Sequence, residues 1–548
     1  MQETSSKIWQ LSYWSSTWRS AKQKQRRIFV GIMALHFLLS AFTIRYHGFN
    51  PDEHAYFGYA VNWAKGHPKR LVITDDSKSP LAFPSLIPVI IKPFYQQPND
   101  PHGFFFLKVG RRFMWIYQLA GAFILFCWLY RLSSKTWHWL PPLLLYLFDP
   151  TIFSYGMMVG TDLASASILL LCCYAGWRYT QAREKKYWHW LIVGACLAFV
   201  VKASMVFLLP VLLIGMALTA WWKKWYQSIG YFKNALLRWT QLLVAILLFI
   251  NLAYYFTGSF KPVKEMPETS QAFRNLKQRL SFAENMPVPL PYDYISGFDL
   301  LTSNAERGGG ISDDNSYIGI VILGKYFRKG PVWYYYIVSF LYKTPLFIFL
   351  LLITAFICFA RNNTRWKMLQ RHLFLWWPPL FFFVLMSLNN PFQIGIRHAI
   401  IVMPLIYLAA SYGIRFWVDK YRKVFTGLVL LHAISIINYW PNIISYTNEL
   451  VLPKRLVYKY FYDSSISYRT ERTFLQRFLK AHPDYSLPPT TPKAGKYAID
   501  IERYAQPLID TSYNLHWMFD HFEPNGTYEH SILLFDISEA DIKAKGLK

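Results

Sequence analysis

Residues 28–53 read IFVGIMALHFLLSAFTIRYHGFNPDE, a membrane-length apolar run that ends almost directly on Asn50-Pro51-Asp52-Glu53. Two adjacent acids at the mouth of such a helix are costly unless they perform work there. A carboxylate at a membrane interface takes a proton from an incoming nucleophile or orients a polar substrate. The same residues also start a helix well, with an Asx-type cap followed by proline. Both readings stand at this point.

The apolar run is not isolated. The 548 residues are 53% hydrophobic and 19% aromatic, with 22 Trp, 38 Tyr and 43 Phe, which suits lipid contact and headgroup belts better than an aqueous core. An integral membrane protein follows. In a soluble protein the net charge of +27 would suggest nucleic acid, but here Lys and Arg cluster between apolar runs, where they set topology and meet anionic headgroups. Nucleic-acid binding is not expected. Cys127, Cys172, Cys173, Cys196 and Cys358 all lie inside apolar runs and read as small hydrophobes, with no disulfide or zinc spacing. The run from Ile28 follows a basic stretch but has no small-residue cleavage site, so it reads as a retained anchor.

Apolar windows predict about eleven spans, an all-α polytopic architecture. Their approximate bounds are 28–45, 113–131, 137–149, 161–178, 188–201, 204–221, 239–256, 333–360, 372–389, 398–414 and 424–440. Basic residues recur after every second crossing: before the first span, at Arg131 with Lys135, and across 178–186, 223–238, 361–371 and 415–423. This periodicity predicts a cytoplasmic N-terminus and an external C-terminus. The chain then divides into a basic N-terminal segment (1–27), a transmembrane module (28–440) with external loops 46–112 and 257–332, and an external C-terminal domain (441–548). Within that domain, Lys496 to Ile501 and Ser531 to Asp536 read as strands around a helical Glu471 to Ala481, giving a small α/β unit. The stretch Ser79 to Tyr95 is apolar but broken by prolines, and lies along the interface or re-enters. Gly308-Gly309-Gly310 reads as an ordinary flexible loop rather than a phosphate cradle, because no strand and helix flank it. The sequon Asn525-Gly526-Thr527 is short enough to arise by chance.

This sidedness gathers a set of expensive residues on one face: Asp52, Glu53, Lys78, Arg111, Arg112, Asp149, Asp162, Lys202, Arg397, His398 and Asp463. Cations near hydrocarbon suit a lipid phosphate, Arg with fork-shaped hydrogen bonds and Lys as a point charge. Snorkelling to headgroups explains any one of the cations equally well, but does not explain acids on the same face.

Several short strings recur in an order that resembles one family. Asp52-Glu53 is followed by Ala55, Tyr59 and Ala60, and then come Lys78-Ser79-Pro80-Leu81, Gly110-Arg111-Arg112-Phe113, Asp149-Pro150 to Asp162, and Val201-Lys202-Ala203-Ser204. Further on stand Trp333-Tyr334-Tyr335-Tyr336, Tyr342-Lys343-Thr344-Pro345-Leu346, Gly395-Ile396-Arg397-His398 with Pro404, Tyr446-Thr447-Asn448-Glu449-Leu450, and Asp463-Ser464-Ser465. Together they resemble the polyprenyl-phosphate-sugar-dependent glycosyltransferases of the GT-C class, in the protein mannosyltransferase and aminoarabinose transferase superfamily, family 39-like bacterial members. Two departures are visible: Ser79 replaces a proline of that pattern, and the Asp-Trp-Gly-Gln that often follows the last motif is missing.

The resemblance implies a GT-C fold in a bacterial inner membrane, with the active site facing the periplasm. It implies an inverting transfer of a sugar from a polyprenyl-phosphate donor to a glycan, lipid or protein acceptor. Asp52 is then the candidate general base, with Glu53 or Asp162 orienting the acceptor or stabilising charge on the sugar. Lys78, Lys202, Arg397, Arg111 and Arg112 are the candidate donor-phosphate residues, and His398 and Asp463 further candidates. Phosphate leaves well when cations meet its charge, so no metal or other cofactor is expected, although paired acids are able to take a divalent cation. The rivals from other classes are a lipid or solute transporter or flippase, and a noncatalytic scaffold. No internal repeat supports the transporter, and the charges lie at span ends rather than at mid-depth.

Overall fold

In the computed structural model, residues 14–69, 78–91, 104–307, 320–327, 330–390, 392–393, 395–462, 466–508 and 512–547 are described. The chain is mostly helical, with two small sheets among the described residues. Among the described residues, five helices are long and apolar enough to cross a membrane: Gln23–Thr43, Phe105–Leu132, Ala203–Trp222, Tyr231–Ala253 and Ile396–Lys420. Two bent helix pairs raise the number to seven if each is one span. Four other predicted runs are helical as well, at Thr136–Leu147, Asp162–Ala182, Lys185–Val201 and Arg422–Ile437. The first of these has 12 residues, about 18 Å at helical rise, which is short of a full hydrocarbon core.

The run predicted as one span over 333–360 is two helices, Tyr335–Lys343 and Leu346–Ala360, bent by 110°. The break falls at Thr344-Pro345, where proline excludes the preceding residue from helical geometry and Thr344 takes φ −91°, ψ 132°. Apolar periodicity continues across the break, so hydropathy alone reads one helix. Arg365–Arg371 and Leu373–Asn389 form the second pair, bent by 75°.

Bulky apolar side chains such as Leu38, Val244, Phe356 and Leu431 stay more than half exposed on these helices. Lipid is the natural cover for such a surface. Inside, aromatic and aliphatic side chains from most of the helices merge into one core around Trp128, Trp139, Tyr146 and Tyr407. Cys127, Cys172, Cys173 and Cys196 are buried and all five cysteines are free thiols. Close helix approach uses small residues. A Cβ on Gly413 would lie 2.1 Å from the Leu351 carbonyl oxygen, and one on Gly110 would lie 2.4 Å from that of Ser85. The second contact presses the Phe104–Leu132 helix onto the turn Pro80–Leu86, so the neighbouring Arg111 enters the first loop at a fixed height.

The described part of the Pro-broken stretch is a 3₁₀ turn, Pro80–Leu86, running into the short helix Ile87–Ile90. Ser79 starts it by accepting from the Leu81 amide at 3.1 Å while donating to the Val200 carbonyl at 2.6 Å. Helix Arg472–Ala481 packs on a four-stranded sheet in which Gly495–Asp500 and Ile532–Ile537 pair antiparallel, Gly495 opposite Ile537 and Asp500 opposite Ile532. Gly526–Tyr528 extends one edge and Tyr485–Ser486 the other. A second sheet pairs Ile320–Ile322 with Lys325–Phe327 and with Phe461–Tyr462, which ties the second long loop to the C-terminal region. The glycines at 308–310 lie outside the described residues.

Candidate active site

The two adjacent acids do different jobs. Asn50 caps the helix Pro51–Ala64, its side-chain oxygen accepting from the Glu53 amide at 3.0 Å, while a Glu53 oxygen accepts from the Asn50 amide at 3.2 Å. This reciprocal box satisfies two end amides and turns Glu53 inward. Successive helical residues point about 100° apart, so Asp52 faces elsewhere.

Glu53 is fully buried and Arg111 is 1% exposed. Arg111 binds it in a fork, Nε to Oε1 at 2.7 Å and Nη2 to Oε2 at 2.5 Å. The Val159 amide adds a further donor at 2.9 Å beside those of Arg111 and Asn50, and Arg111 also donates to the His47 and Gly48 carbonyls. Every lone pair that matters is occupied. Such a pair fastens loop, helix and the segment before Asp162 together, and these hydrogen bonds of both members are to the protein itself. Of the residues expected to act on substrate, Glu53 and Arg111 are thus the ones placed in a holding role.

Asp52 keeps 35% of its side chain exposed. Its Oδ2 accepts from Arg397 Nη1 at 2.8 Å and from the Tyr468 hydroxyl at 2.5 Å, and Lys78 Nζ stands 3.6 Å from Oδ1. The Arg397 guanidinium also donates to the Tyr468 hydroxyl and lies 4.9 Å from that ring's centre. Burial by itself opposes ionisation of Asp52, but Lys78, Arg397 and the Tyr468 hydrogen bond outweigh it and hold the carboxyl well below the usual carboxylate range. Burial, with Asp52 nearby, pushes the Tyr468 hydroxyl well above its ordinary value. It stays protonated and donates.

Asp162 opens the helix Asp162–Ala182, and its Oδ1 accepts from Lys202 Nζ at 2.5 Å. Lys202 caps the preceding helix end in an extended conformation, φ −160° and ψ 140°. That breaks the chain between Lys185–Val201 and the turn Ala203–Phe207 and sends the ammonium toward Asp162. Lys78 and Lys202 line one narrow cleft, about 20 Å³, with Ser79, Tyr254, Tyr294 and Phe298. Lys78 also rests over the Tyr56 ring at 4.4 Å, and the Tyr56 hydroxyl lies 3.3 Å from Thr161 Oγ1. Three cations therefore face two carboxylates beside an aromatic-walled cleft, an excess of positive charge suited to an anion.

The remaining sequence candidates separate. His398 lies within electrostatic reach of Lys202, Arg397 and Asp52, and its Nδ1 sits 3.0 Å from Asn390 Nδ2 and 3.3 Å from the Tyr336 hydroxyl. Arg112 forms no ion pair among the described residues, and its neighbour Arg111 is turned inward. Asp149 is fully buried as the cap of Pro150–Gly156, holding the Thr151 and Ile152 amides and the Tyr407 hydroxyl. It is a structural cap. Asp463 lies outside the described residues.

Sequence reading missed Tyr468. Tyr468 and Arg469 both adopt the left-handed region, φ 50° and 59°, conformations that cost about 1–3 kcal/mol each for ordinary side chains. Arg469 is held by Glu502 at 3.1 Å, so the strained pair links the C-terminal region to Asp52. Nothing in the local sequence signals this, since no glycine or asparagine marks the turn. Among the described residues no three His, Cys, Asp or Glu side chains converge as a metal ion needs. No protein-family model matches the chain, and no curated protein matches it.

Proposed function

We propose that the protein is a membrane glycosyltransferase that moves a sugar from a polyprenyl-phosphate donor to an acceptor hydroxyl with inversion. One observation carries this reading: Asp52 shares Lys78 and Arg397 at the edge of the cleft where Lys78 meets Lys202. A base and a set of phosphate-sized charges stand side by side.

The mechanism follows from charge exchange. Held by two cations, Asp52 is ionised but a feeble base. A donor phosphate entering beside Lys78, Lys202 and Arg397 draws those cations toward itself and leaves Asp52 a stronger proton acceptor. The acceptor oxygen then attacks the anomeric carbon, its proton passes to Asp52, and the bond from that carbon to the phosphate oxygen breaks with its electron pair on the phosphate. Each cation that meets this charge contributes about 3 kcal/mol to the barrier reduction. Asp162, paired with Lys202, keeps that ammonium aimed at the phosphate. His398, within electrostatic reach of Lys202, Arg397 and Asp52, is a further donor or acceptor contact, and Arg112 stays a candidate from the sequence pattern alone.

In this reading the chain crosses a bacterial inner membrane about eleven times, with the N-terminus cytoplasmic and the C-terminal domain periplasmic, as the spacing of basic turns favours. The shorter helices complete the count as partial or tilted crossings. The acceptor is a glycan, lipid or protein hydroxyl.

The test uses purified protein in vesicles with polyprenyl-phosphate hexose and a hydroxyl acceptor, following glycosylated product and freed polyprenyl phosphate. Wild-type transfer that falls about 10²-fold or more in Asp52→Asn supports the assignment. If wild type instead carries the donor across the bilayer with its sugar–phosphate bond intact, the protein is a transporter and the reading fails.

A further inference from the structure

At the far end of the helix bundle lies a second cavity that the proposed reaction does not use. The helix Phe104–Leu132 carries Arg111 at one end and Arg131 at the other, 20 residues or about 30 Å apart at helical rise. Arg131 lines a cavity of about 690 Å³ together with Arg178, Lys367, Arg371, His372 and Arg415. That volume is typical of a small-ligand site. Five of its 16 lining residues are Arg or Lys and none is Asp or Glu.

Basic residues at helix C-termini and in loops have ordinary causes, since they complement the helix dipole and set topology. Those causes explain the charge but not its hydrogen-bonding state. Arg415 Nε and Nη2, Arg178 Nε and Trp177 Nε1 are all buried and have no hydrogen-bond partner among the described residues, although the Arg415 and Arg178 guanidiniums lie over the Tyr412 and Tyr187 rings, and all belong to residues that line this cavity. These four atoms can only donate. His372 adds a fifth unpartnered nitrogen, Nδ1, and is clamped between the Trp177 ring at 5.9 Å and the Tyr412 ring at 6.0 Å. The nearest acid in sequence to Arg415, Asp419, is exposed and paired with His138 at 2.9 Å. Unmatched donors and several cations, with no carboxylate among the lining residues, make one concave space suited to an anionic oxygen-rich partner.

We propose that this cavity is a second binding site, separate from the Asp52 cluster, for a phosphate or pyrophosphate group. Arg415 and Arg178 supply the forked hydrogen bonds, and Trp177 and Tyr412 supply flat apolar walls. The group is carried either on a lipid headgroup at this end of the bundle or on a soluble molecule.

Two probes distinguish these sources. Inorganic pyrophosphate is titrated into the full protein in neutral detergent, read by quenching of tryptophan fluorescence. Separately, nanodiscs containing phosphatidylglycerol are analysed by native mass spectrometry for lipid retained after delipidation. Binding of either probe that weakens about tenfold or more in Arg415→Gln, and also in Arg178→Gln, supports the site, a loss matching one charged hydrogen bond. Using both variants guards against one that fails to fold. Arg365→Gln, on the same basic face but outside the cavity, should stay within about twofold of wild type. Pyrophosphate binding alone identifies a soluble ligand, and retained lipid alone a headgroup. Failure of both probes with wild type, or equal weakening in all three variants, overturns the proposal. None of these readouts measures sugar transfer, so the Asp52 reading stands or falls separately.

Discussion

Arg397 Nη1 and Asp52 Oδ2 lie 2.8 Å apart although 345 residues separate them in the chain. The contact closes a circuit, since Tyr468 touches both partners and Lys78 approaches the other oxygen of the carboxylate. Three other segments thus converge on one acid, and their separate contributions can be measured.

Tyr468→Phe removes the hydroxyl bound to Asp52 but leaves the ring over Arg397. Loss of that hydrogen bond raises the Asp52 carboxyl from its depressed position. Because a lowered carboxyl is protonated only as pH falls through its folded value, the acid limb of the pH–rate profile should move to higher pH. Turnover should fall about tenfold with a normal melting temperature. An unchanged profile would detach Tyr468 from Asp52.

Lys78→Ala and Lys202→Ala should each raise the donor KM and lower kcat/KM by about 10- to 100-fold. Arg112→Ala, whose side chain forms no ion pair among the described residues, should cost less. Initial rates over a donor series decide the order.

Glu53→Gln leaves the buried Arg111 guanidinium without its carboxylate and should destabilise the protein by about 3–5 kcal/mol. The double variant Glu53→Gln with Arg111→Met should recover part of this. Chemical denaturation of the four proteins in one detergent gives the coupling. Equal stability of Glu53→Gln and wild type would contradict the holding role.

Glu471, 1% exposed at the start of helix Arg472–Ala481, has its carboxyl pushed up to about 8, first by burial and then by Asp500 and Glu502. A raised carboxyl favours folding fully below its unfolded value of about 4.5, and the advantage is lost as pH rises toward the folded value. Stability should therefore drop by a few kcal/mol at most between about pH 5 and pH 9, and Glu471→Gln should flatten that dependence. Denaturation midpoints across this range test it.

Gly413→Ala should destabilise by about 1–3 kcal/mol, because the new methyl meets the Leu351 carbonyl oxygen at 2.1 Å and two packed helices must part. A melting temperature equal to wild type would show that they separate freely.

Much of this molecule is legible in its sequence, because apolar length and turn chemistry act locally. The run ending at Asn50-Pro51-Asp52-Glu53 specifies both a membrane-length helix and the cap that follows it, since a short polar side chain and a proline need no distant partner. The strands at Gly495–Asp500 and Ile532–Ile537 are legible the same way, as short apolar runs rich in strand-forming residues. Grouping Asp52 with Lys78, Lys202 and Arg397 was also within reach, because cations and acids at helix mouths are expensive wherever they occur. What each acid does was not. Glu53 and Asp52 are neighbours of like charge, and only the position of Arg111 against one and of Arg397, Lys78 and Tyr468 against the other divides them into a sealed holding pair and a carboxylate that stays partly exposed. The bend at Thr344-Pro345, the strained arrival of Tyr468, and the collection of unmatched donors around Arg415 are likewise products of packing. They depend on which surfaces meet across hundreds of residues, and no local pattern encodes that.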